Sequence, residues 1–432
     1  MNPQIVRLFQ EAENLHRKGQ LGAAKKRYEL ILQKQPDFAH ARLFLAVVLQ
    51  QAGQIQDAVN QARRAIQDMD PPDAVLLTNY GVIMKNAGLL QEAEKVYQEA
   101  LNLNPNMPAA RSNLATLQLV GGKLDLAEQS FTELTRQMEE PGPWLNLARI
   151  ALAKEDPEKA SQCLIQAEDI APKHPDIYFL RGKVSATEKD DESVFRHLKT
   201  ALNLQAAHGE SWQLLQSLDP EVLDLEFVDK AAAGLAETGV QDAILLATAV
   251  DICRKNMIWG SLPRLETLLG KALENPLDTA PGISATFTLL GANVPQKAHL
   301  KAAEITWQKM SEHVKPVPER QLQARTKDKK IRVGFLSSDL RGHAVGYLIV
   351  GLLESLPHEN IEWYAYNNSF SDQSDSRDRI KTGVDRFVNI ASLNNPELAA
   401  RIYQDEIDIL IDLNGMTRET RVSVMAYKPA PV

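Results

Sequence analysis

The stretch IRVGFLSSDLRGHAVGYL, residues 331–348, sets the architecture of the last quarter of the chain. It begins with an apolar run typical of a buried strand. Two serines, an acid, an arginine, a glycine and a histidine follow, and a second apolar run comes after them. This order predicts a strand, a polar loop and a helix, which together form the first unit of an α/β sheet.

The residues after this stretch keep alternating between strand-like and helix-like patterns. The order βαβαβαβ predicts a mainly parallel, doubly wound sheet with right-handed crossovers, which is a Rossmann-like half-domain. The predicted elements after the strand IRVGFLS are the helix AVGYLIVGLLESL, the strand IEWYAYNN, a polar helix near residues 373–382, the strand DRFVNIAS, the helix NPELAARIYQDE and the strand IDILIDLNG.

Polar residues follow three of these strands. Ligands of such sheets bind at the carboxyl ends of the strands, where loops and helix N-termini present unpaired amides. We therefore expect residues 337–343, 367–369 and 414–417 to lie on one edge of the sheet. Neither GxGxxG nor GxxxxGK[ST] joins a strand to a helix, so the sequence supports neither a dinucleotide site nor a phosphate-loop nucleotide site.

His343 is the most informative single residue of the first loop. His343 follows a strand, where a histidine can act as a base, as a hydrogen-bond donor or as a simple loop anchor. Asp339 is predicted to have the structural role of capping the next helix.

The first 200 residues repeat with a period of 33–35. The pattern resembles the tetratricopeptide repeat, a 34-residue helix–turn–helix with A-x3-F and a terminal proline. Small residues let the two helices approach closely, and glycine permits the turn. Six units and a degenerate seventh predict an α-solenoid with a curved inner surface suited to extended peptides. The recurring residues are Gly19, Gly53, Gly88 and Gly122, followed five positions later by Ala24, Ala58, Ala93 and Ala127.

Three units share an asparagine in the first helix: Asn79, Asn113 and Asn146. We call these three residues the asparagine row. A carboxamide both donates and accepts, so the row could hold a peptide backbone whatever its side chains. The alternative is that the asparagines only cap or solvate their helices. Asparagine costs about half a kcal/mol against alanine inside a helix, which favours the binding role.

Composition narrows the function further. The chain has 432 residues, 24% of them charged, and a net charge of −8, which argues against nucleic acid as a partner. Its two cysteines lie far apart and suggest neither a zinc site nor a disulfide framework. The amphipathic N-terminus is unlike a signal peptide, and no apolar run reaches the ~20 residues that span a bilayer. We therefore expect a cytoplasmic protein that does not bind membranes.

Three domains are predicted: a tetratricopeptide superhelix over residues 1–217, a helical linker over residues 218–325 and the Rossmann-like half-domain over residues 326–432. The linker keeps a helical pattern but loses the 34-residue period. Its Trp259 and Trp307 are predicted to be core residues.

The combination of repeats with IRVGFLSSDLRGHAVGYL, RIYQDEIDILIDLNGMT and YKPAPV resembles the protein O-linked N-acetylglucosamine (O-GlcNAc) transferases and their bacterial relatives. The resemblance implies an inverting glycosyltransferase with two Rossmann-like lobes. It would transfer N-acetylglucosamine from the nucleotide sugar UDP-GlcNAc to Ser or Thr of acceptor proteins, with no cofactor and no metal. His343 matches the histidine of the family's SSD-x-x-x-H motif, which has been considered a catalytic base. Asn414, Gly415 and Thr417 match the family's N-G-x-T loop. The asparagine row matches the family's peptide-holding asparagines.

The chain also departs from the animal members of the family. Ala344 and Tyr347 stand where those enzymes have proline and a second histidine, and Arg386 replaces another histidine. The donor is therefore open, and GDP-fucose, which related transferases use, is the alternative.

The sequence ends at PAPV, before the family's W-L-G-Y-P-G-T motif and second lobe. We expect these 432 residues alone to have little activity and little affinity for UDP, and an uncovered lobe face to favour a homo-oligomer. The other hypothesis is a tetratricopeptide adaptor that binds peptides and carries a relic catalytic lobe.

Overall fold

The computed structural model describes residues 3–274, 283–312, 314–318, 330–369, 372–417 and 419–432. The chain divides into two compact units, Met1–Asp224 and Leu225–Val432, and each is described by itself. Among the described residues, every helix is too short or too polar to cross a membrane.

The first unit consists of antiparallel helix pairs, as the repeat pattern predicts. Each helix packs against the next along the chain, which gives the predicted α-solenoid. The helices are α1 (Pro3–Arg17), α2 (Leu21–Lys34), α3 (Ala39–Gln51), α4 (Ile55–Gln67), α5 (Ala74–Asn86), α6 (Leu90–Leu103), α7 (Pro108–Val120), α8 (Leu124–Gln137), α9 (Pro141–Ala153), α10 (Pro157–Ile170), α11 (Pro175–Thr187), α12 (Asp191–Leu204) and α13 (Gly209–Gln216), followed by the 3₁₀ helix Pro220–Val222.

The recurring glycines occupy the turn between the two helices of a repeat. All four have φ between 72° and 77°, the left-handed conformation that glycine adopts without strain. In the fifth and sixth repeats the same turn is made by Glu155 and Lys189, with φ of 59° and 58°. The backbone geometry therefore persists after the glycine signal has been lost from the sequence.

Close approach of the two helices explains the recurring small residues. Ala24, Ala58, Ala93 and Ala127 are completely buried. In the third repeat a Cβ on Gly81 would lie 2.5 Å from Cε1 of Tyr97. The Tyr97 ring is also fully buried and has no room to move aside, so residue 81 must be a glycine for the ring to fit.

The second unit begins with helices that no longer follow the repeat period. They are α14 (Leu225–Glu237), α15 (Ala243–Lys255), α16 (Leu262–Glu274), α17 (Ile283–Leu289) and α18 (Gln296–Ser311). The prediction that Trp259 and Trp307 are core residues is wrong, because their exposed fractions are 64% and 42%. An apolar side chain in a helical pattern does not reveal whether a neighbour covers it. The predicted boundary between residues 325 and 326 lies outside the described residues.

The α/β half-domain has the predicted alternation, and its four strands are all parallel, in the order β3-β2-β1-β4. Helices α19 and α20 pack on the face that carries Phe335 and Trp363, whereas α21 and the last 3₁₀ helix pack on the face that carries Leu336 and Tyr366. The elements are β1 (Ile331–Ser337), α19 (Ala344–Ser355), β2 (Ile361–Asn367), α20 (Asp375–Thr382), β3 (Arg386–Asn389), α21 (Asn395–Gln404), β4 (Ile409–Asp412) and the 3₁₀ helix Val422–Tyr427.

Candidate functional site

The carboxyl ends of the four strands meet at one edge of the sheet. Ser337 pairs with Asn367, Asn367 with Asn389, and Leu336 with Asp412. The three polar segments predicted to share an edge therefore do so. Because β4 lies on the other side of β1 from β2, the chain reverses its direction of strand addition between β1 and β4. Such a switch point is where doubly wound sheets bind their ligands.

Asn414 ties together the two loops at the switch point. Its Oδ1 accepts from the backbone N–H of Ser338 at 2.8 Å, and its Nδ2 donates to Ser338 Oγ at 2.9 Å and to Asp339 Oδ2 at 2.7 Å. Its side chain is buried, with 7% of the residue exposed. The loops after β1 and β4 are therefore held as one rigid surface.

His343, and not Asp339, caps helix α19. The ring Nδ1 of His343 accepts from the backbone N–H of Val345 at 3.3 Å, whereas Asp339 is held by Asn414. The prediction that Asp339 caps this helix is therefore wrong; the loop places its carboxylate toward β4, 3.8 Å from Nδ1 of His343. The His343 side chain is 43% exposed. Within the described part of the chain, Nε2 of His343 has no hydrogen-bond partner.

The remaining residues of the N-G-x-T loop shape the turn after β4. Gly415 is exposed with φ of 59°, and its N–H donates to Asp412. Thr417 Oγ1 donates to the carbonyl of Asn414 at 3.0 Å. The other carboxylate oxygen of Asp412 is buried and has no partner among the described residues, and burial raises the pKa of this acid.

Two arginines, one buried and one half-buried, hold the neighbouring loops, and the sequence analysis did not single them out. Arg377 is 3% exposed, donates to Ser369 Oγ at 3.0 Å and stacks over Phe387. Arg421 donates to Asn368 Oδ1 at 3.0 Å, and burial lowers the pKa of its guanidinium. Both arginines stand among ordinary helix and loop residues, so no spacing in the sequence marks them.

The asparagine row lies on the first helices of the third, fourth and fifth repeats. All three side chains are partly exposed. Asn113 and Asn146 each donate to the carbonyl four residues earlier, at 2.9 and 3.0 Å. Lys85 of the preceding repeat donates to Asn113 Oδ1 at 3.2 Å. The helix backbone therefore uses part of the donor capacity of these residues, and peptide binding by the row stays a prediction.

One group in the repeats has the composition of a metal site. Asp176, His208 and Glu210 place possible ligand atoms within 4.8 Å of one another. However, Arg149 donates to Glu210 through both guanidinium NH2 groups at 2.8 Å, and to Asp176 at 3.1 Å. His208 also hydrogen-bonds Asp176. Since Arg149 already supplies the positive charge, the group is an ion-pair network between repeats.

Comparison with known proteins identifies the domains of the chain. Residues 288–432 match the sequence profile of glycosyl transferase family 41, and tetratricopeptide profiles match residues 9–74, 86–141 and 142–174. A stretch of 104 residues is 34% identical to the probable UDP-N-acetylglucosamine–peptide N-acetylglucosaminyltransferase SEC of Arabidopsis thaliana. The chain combines tetratricopeptide repeats with a glycosyl transferase family 41 domain.

The similarity to individual members of this family is limited in extent. The Arabidopsis match covers 24% of this chain and 11% of that enzyme. A stretch of the same length is 30% identical to the UDP-N-acetylglucosamine–peptide N-acetylglucosaminyltransferase of Caenorhabditis elegans and covers 9% of it. The solved O-GlcNAc transferase of Thermobaculum terrenum aligns over 83% of this chain and 49% of its own, at 19% identity and a TM-score of 0.29.

Proposed function

We propose that this protein takes part in protein O-glycosylation in the cytosol, moving N-acetylglucosamine from UDP-GlcNAc to Ser or Thr hydroxyls of proteins held by its repeats. The observation that carries the proposal is the Asn414 bridge between the loops after β1 and β4, beside the partly exposed His343. This bridge gives a rigid polar surface at the switch point, where an α/β sheet binds a nucleotide or sugar.

The start of helix α19 supports an anionic ligand at this surface. Its N-terminal amides and dipole favour negative charge, such as the diphosphate of a nucleotide sugar. Gly346 keeps this turn compact, because a Cβ there would lie 2.0 Å from the carbonyl oxygen of Arg341. Ala344 and Tyr347, which replace residues of the animal enzymes, are exposed on the same first turn. They are candidates for setting donor preference.

The capping bond of His343 suggests the role of its ring. Because Nδ1 accepts from Val345, the neutral ring carries its proton on Nε2, and the tautomer is inferred from this contact. A ring held in this way donates a hydrogen bond from Nε2. We therefore propose that His343 stabilises developing charge on the leaving group, in place of the base role implied by the resemblance.

The repeats would supply the acceptor. Carboxamides of the asparagine row can bind the backbone of an extended peptide without selecting its side chains. Holding the acceptor hydroxyl in line with the bond that breaks at the sugar would account for part of the rate.

The test is mass spectrometry of Ser and Thr modifications in cells that carry the gene. We expect N-acetylhexosamine on a set of proteins to disappear when the gene is deleted and to return with the wild-type gene, but not with Asn414→Ala. Loss of a deoxyhexose in its place would identify a fucose donor and contradict UDP-GlcNAc. An unchanged set of sugars in the deleted strain would refute the transferase proposal.

A further inference from the structure

A cleft of about 530 Å³ lies in the repeats between helices α6 and α8, with α7 as its floor. Its polar lining includes Gln98, Arg111, Gln118, Gln129, Ser130 and Glu133. Most of these groups are uncharged carboxamides or hydroxyls, and the one acid and the one base of this set balance each other.

Gln118 is a polar residue at a core position. Four residues before the turn, the second, third and fifth repeats have the buried apolar residues Leu49, Met84 and Ala151. Gln118 is 9% exposed, and its buried Oε1 accepts no hydrogen bond from any described residue. A buried acceptor without a partner costs free energy, so packing alone does not account for this side chain.

Arg111 also has a polar group without a hydrogen-bond partner among the described residues, and the equivalent arginine of another repeat shows which bonds are missing. The equivalent Arg42, two repeats earlier, donates from Nε to Asp68 at 2.9 Å, from Nη1 to Gln61 at 3.2 Å and from Nη2 to the carbonyl of Pro36. Arg111 keeps the last of these bonds, through the carbonyl of Pro105 at 2.6 Å. Its Nε is buried and has no acceptor within the described ranges.

The sequence explains why these acceptors are missing. Ser130 and Gln137 stand at the positions of Gln61 and Asp68, and Gln137 donates to Glu133. The fourth repeat thus keeps the arginine but has lost the carboxylate that satisfies it. One donor, Nε of Arg111, and one acceptor, Oε1 of Gln118, therefore lie on the same face of α7 and can be satisfied by a ligand.

The cleft is separate from the asparagine row. Arg111, Leu114 and Gln118 are spaced by three and four residues and share one face of α7. Asn113 lies at least 100° away from each of them around the helix, since each residue advances by about 100°. A ligand of the cleft therefore contacts the other side of the helix from a peptide on the asparagine row.

We propose that this cleft binds an extended, uncharged peptide segment of a partner protein, whose carbonyl accepts from Arg111 and whose N–H donates to Gln118. Peptide groups supply the missing acceptor and donor together. A ligand with net charge is disfavoured because Arg111 and Glu133 line the same cleft and balance each other. Residues Leu126 to Glu133 span two turns of α8, about 10 Å, which matches roughly three residues of an extended chain.

The test is display selection with a library of uncharged 12-residue peptides on the full 432-residue chain, after depletion on the Gln118→Leu variant. Leucine occupies the equivalent position in the second repeat, so this variant is expected to fold. Arg111→Tyr is the second variant, because Tyr178 at the equivalent position donates to the carbonyl of Pro172 and so replaces the one bond that Arg111 makes. We expect synthetic versions of the selected peptides to lose at least ten-fold in affinity on either variant.

Two controls separate this site from others. Arg42→Tyr changes the equivalent arginine, whose hydrogen bonds are complete. The triple alanine replacement of the asparagine row changes the other face of the helix. Neither change should alter the affinity for the selected peptides. Failure to select any uncharged peptide that prefers the wild type would overturn the proposal. Dependence of the selected peptides on the asparagine row would overturn it too.

Discussion

The side chain of Asn414 donates a hydrogen bond of 2.7 Å to Asp339, a residue 75 positions earlier in the chain. The bond joins the loop after β4 to the loop after β1, at the switch point of the sheet. It also explains why Asp339 does not cap helix α19, because its carboxylate faces the neighbouring strand. The two motifs that carry the family resemblance thus form one structure.

Replacing Asn414 by alanine is expected to lower the free energy of unfolding by about 2 kcal/mol, because the buried N–H of Ser338 and the carboxylate of Asp339 lose a partner together. Urea unfolding followed by circular dichroism measures this. Asn360→Ala, an exposed asparagine of the same half-domain, is the matched control and should change stability by less than ~0.5 kcal/mol. Equal effects of the two variants would mean that the bridge is not rigid in solution.

Substitution of His343 separates its role as the cap of helix α19 from its proposed role in sugar transfer. Asparagine is a good N-cap, so His343→Asn should leave the unfolding free energy within about 0.5 kcal/mol of the wild type. It removes the ring Nε2, so hexosamine transfer in complemented cells should fall below a tenth of the wild-type level. His343→Ala should lose both transfer and the capping bond to Val345. Full transfer by His343→Asn would leave the histidine as a loop anchor only.

The asparagine row is tested by replacing Asn79, Asn113 and Asn146 together with alanine. Each change removes a poor helix former and should stabilise its helix by about half a kcal/mol, so loss of the fold is not expected. Fluorescence anisotropy with several unrelated unstructured peptides should show weaker binding by the triple variant. Asn60→Ala, on the exposed surface of α4, is the control. Unchanged affinity would favour the alternative that these asparagines only solvate their helices.

The ion-pair network between repeats predicts a pH dependence of stability. The hydrogen bond from His208 and the charge of Arg149 lower the pKa of Asp176 from 3.8 to about 2. Because the folded-state pKa is the lower one, the stabilisation is complete above pH 3.8 and is lost as the pH falls toward 2.

Asp176→Asn should therefore cost about 2 kcal/mol at neutral pH, and its difference from the wild type should shrink across this acid range. Urea unfolding at a series of pH values gives both quantities, with the exposed Asp57→Asn as the reference. A difference that does not depend on pH would contradict the assigned pKa shift.

The contact between Gly81 and Tyr97 predicts a specific coupling. Gly81→Ala should destabilise the third repeat by about 1–2 kcal/mol, because the added Cβ clashes with a buried ring that cannot move aside. The double variant with Tyr97→Ala reproduces the Ala46 and Ala62 pair of the second repeat. Its cost should be smaller than the sum of the two single changes.

Hydrogen exchange of the amides of α5 and α6 reports this coupling locally. Gly22→Ala, where an added Cβ meets no atom within 4 Å, is the control and should not reduce protection. Strict additivity of the two changes would contradict the packing explanation.

Most of the architecture could be predicted from the sequence, because it depends on local periodicity. The recurring glycine and alanine predicted the helix pairs, and alternating apolar runs predicted all four strands and the helices between them. The fifth repeat keeps the turn geometry although the recurring glycine is absent, because Glu155 adopts the left-handed conformation there. The exposure of Trp259 could not be predicted, because it depends on which distant segments cover that surface.

By itself, the sequence determined the order of the elements, the strand edge on which the site lies and the residues that could form it. The tertiary structure alone decided which of those residues meet. Asp339 bonds to Asn414 and leaves the cap to His343, while Nε of Arg111 and Oε1 of Gln118 have no hydrogen-bond partner among the described residues. A hydrogen bond forms only between atoms that lie within about 3 Å of each other. These partners are far apart in the sequence, so their spacing along the chain does not show whether folding brings them together.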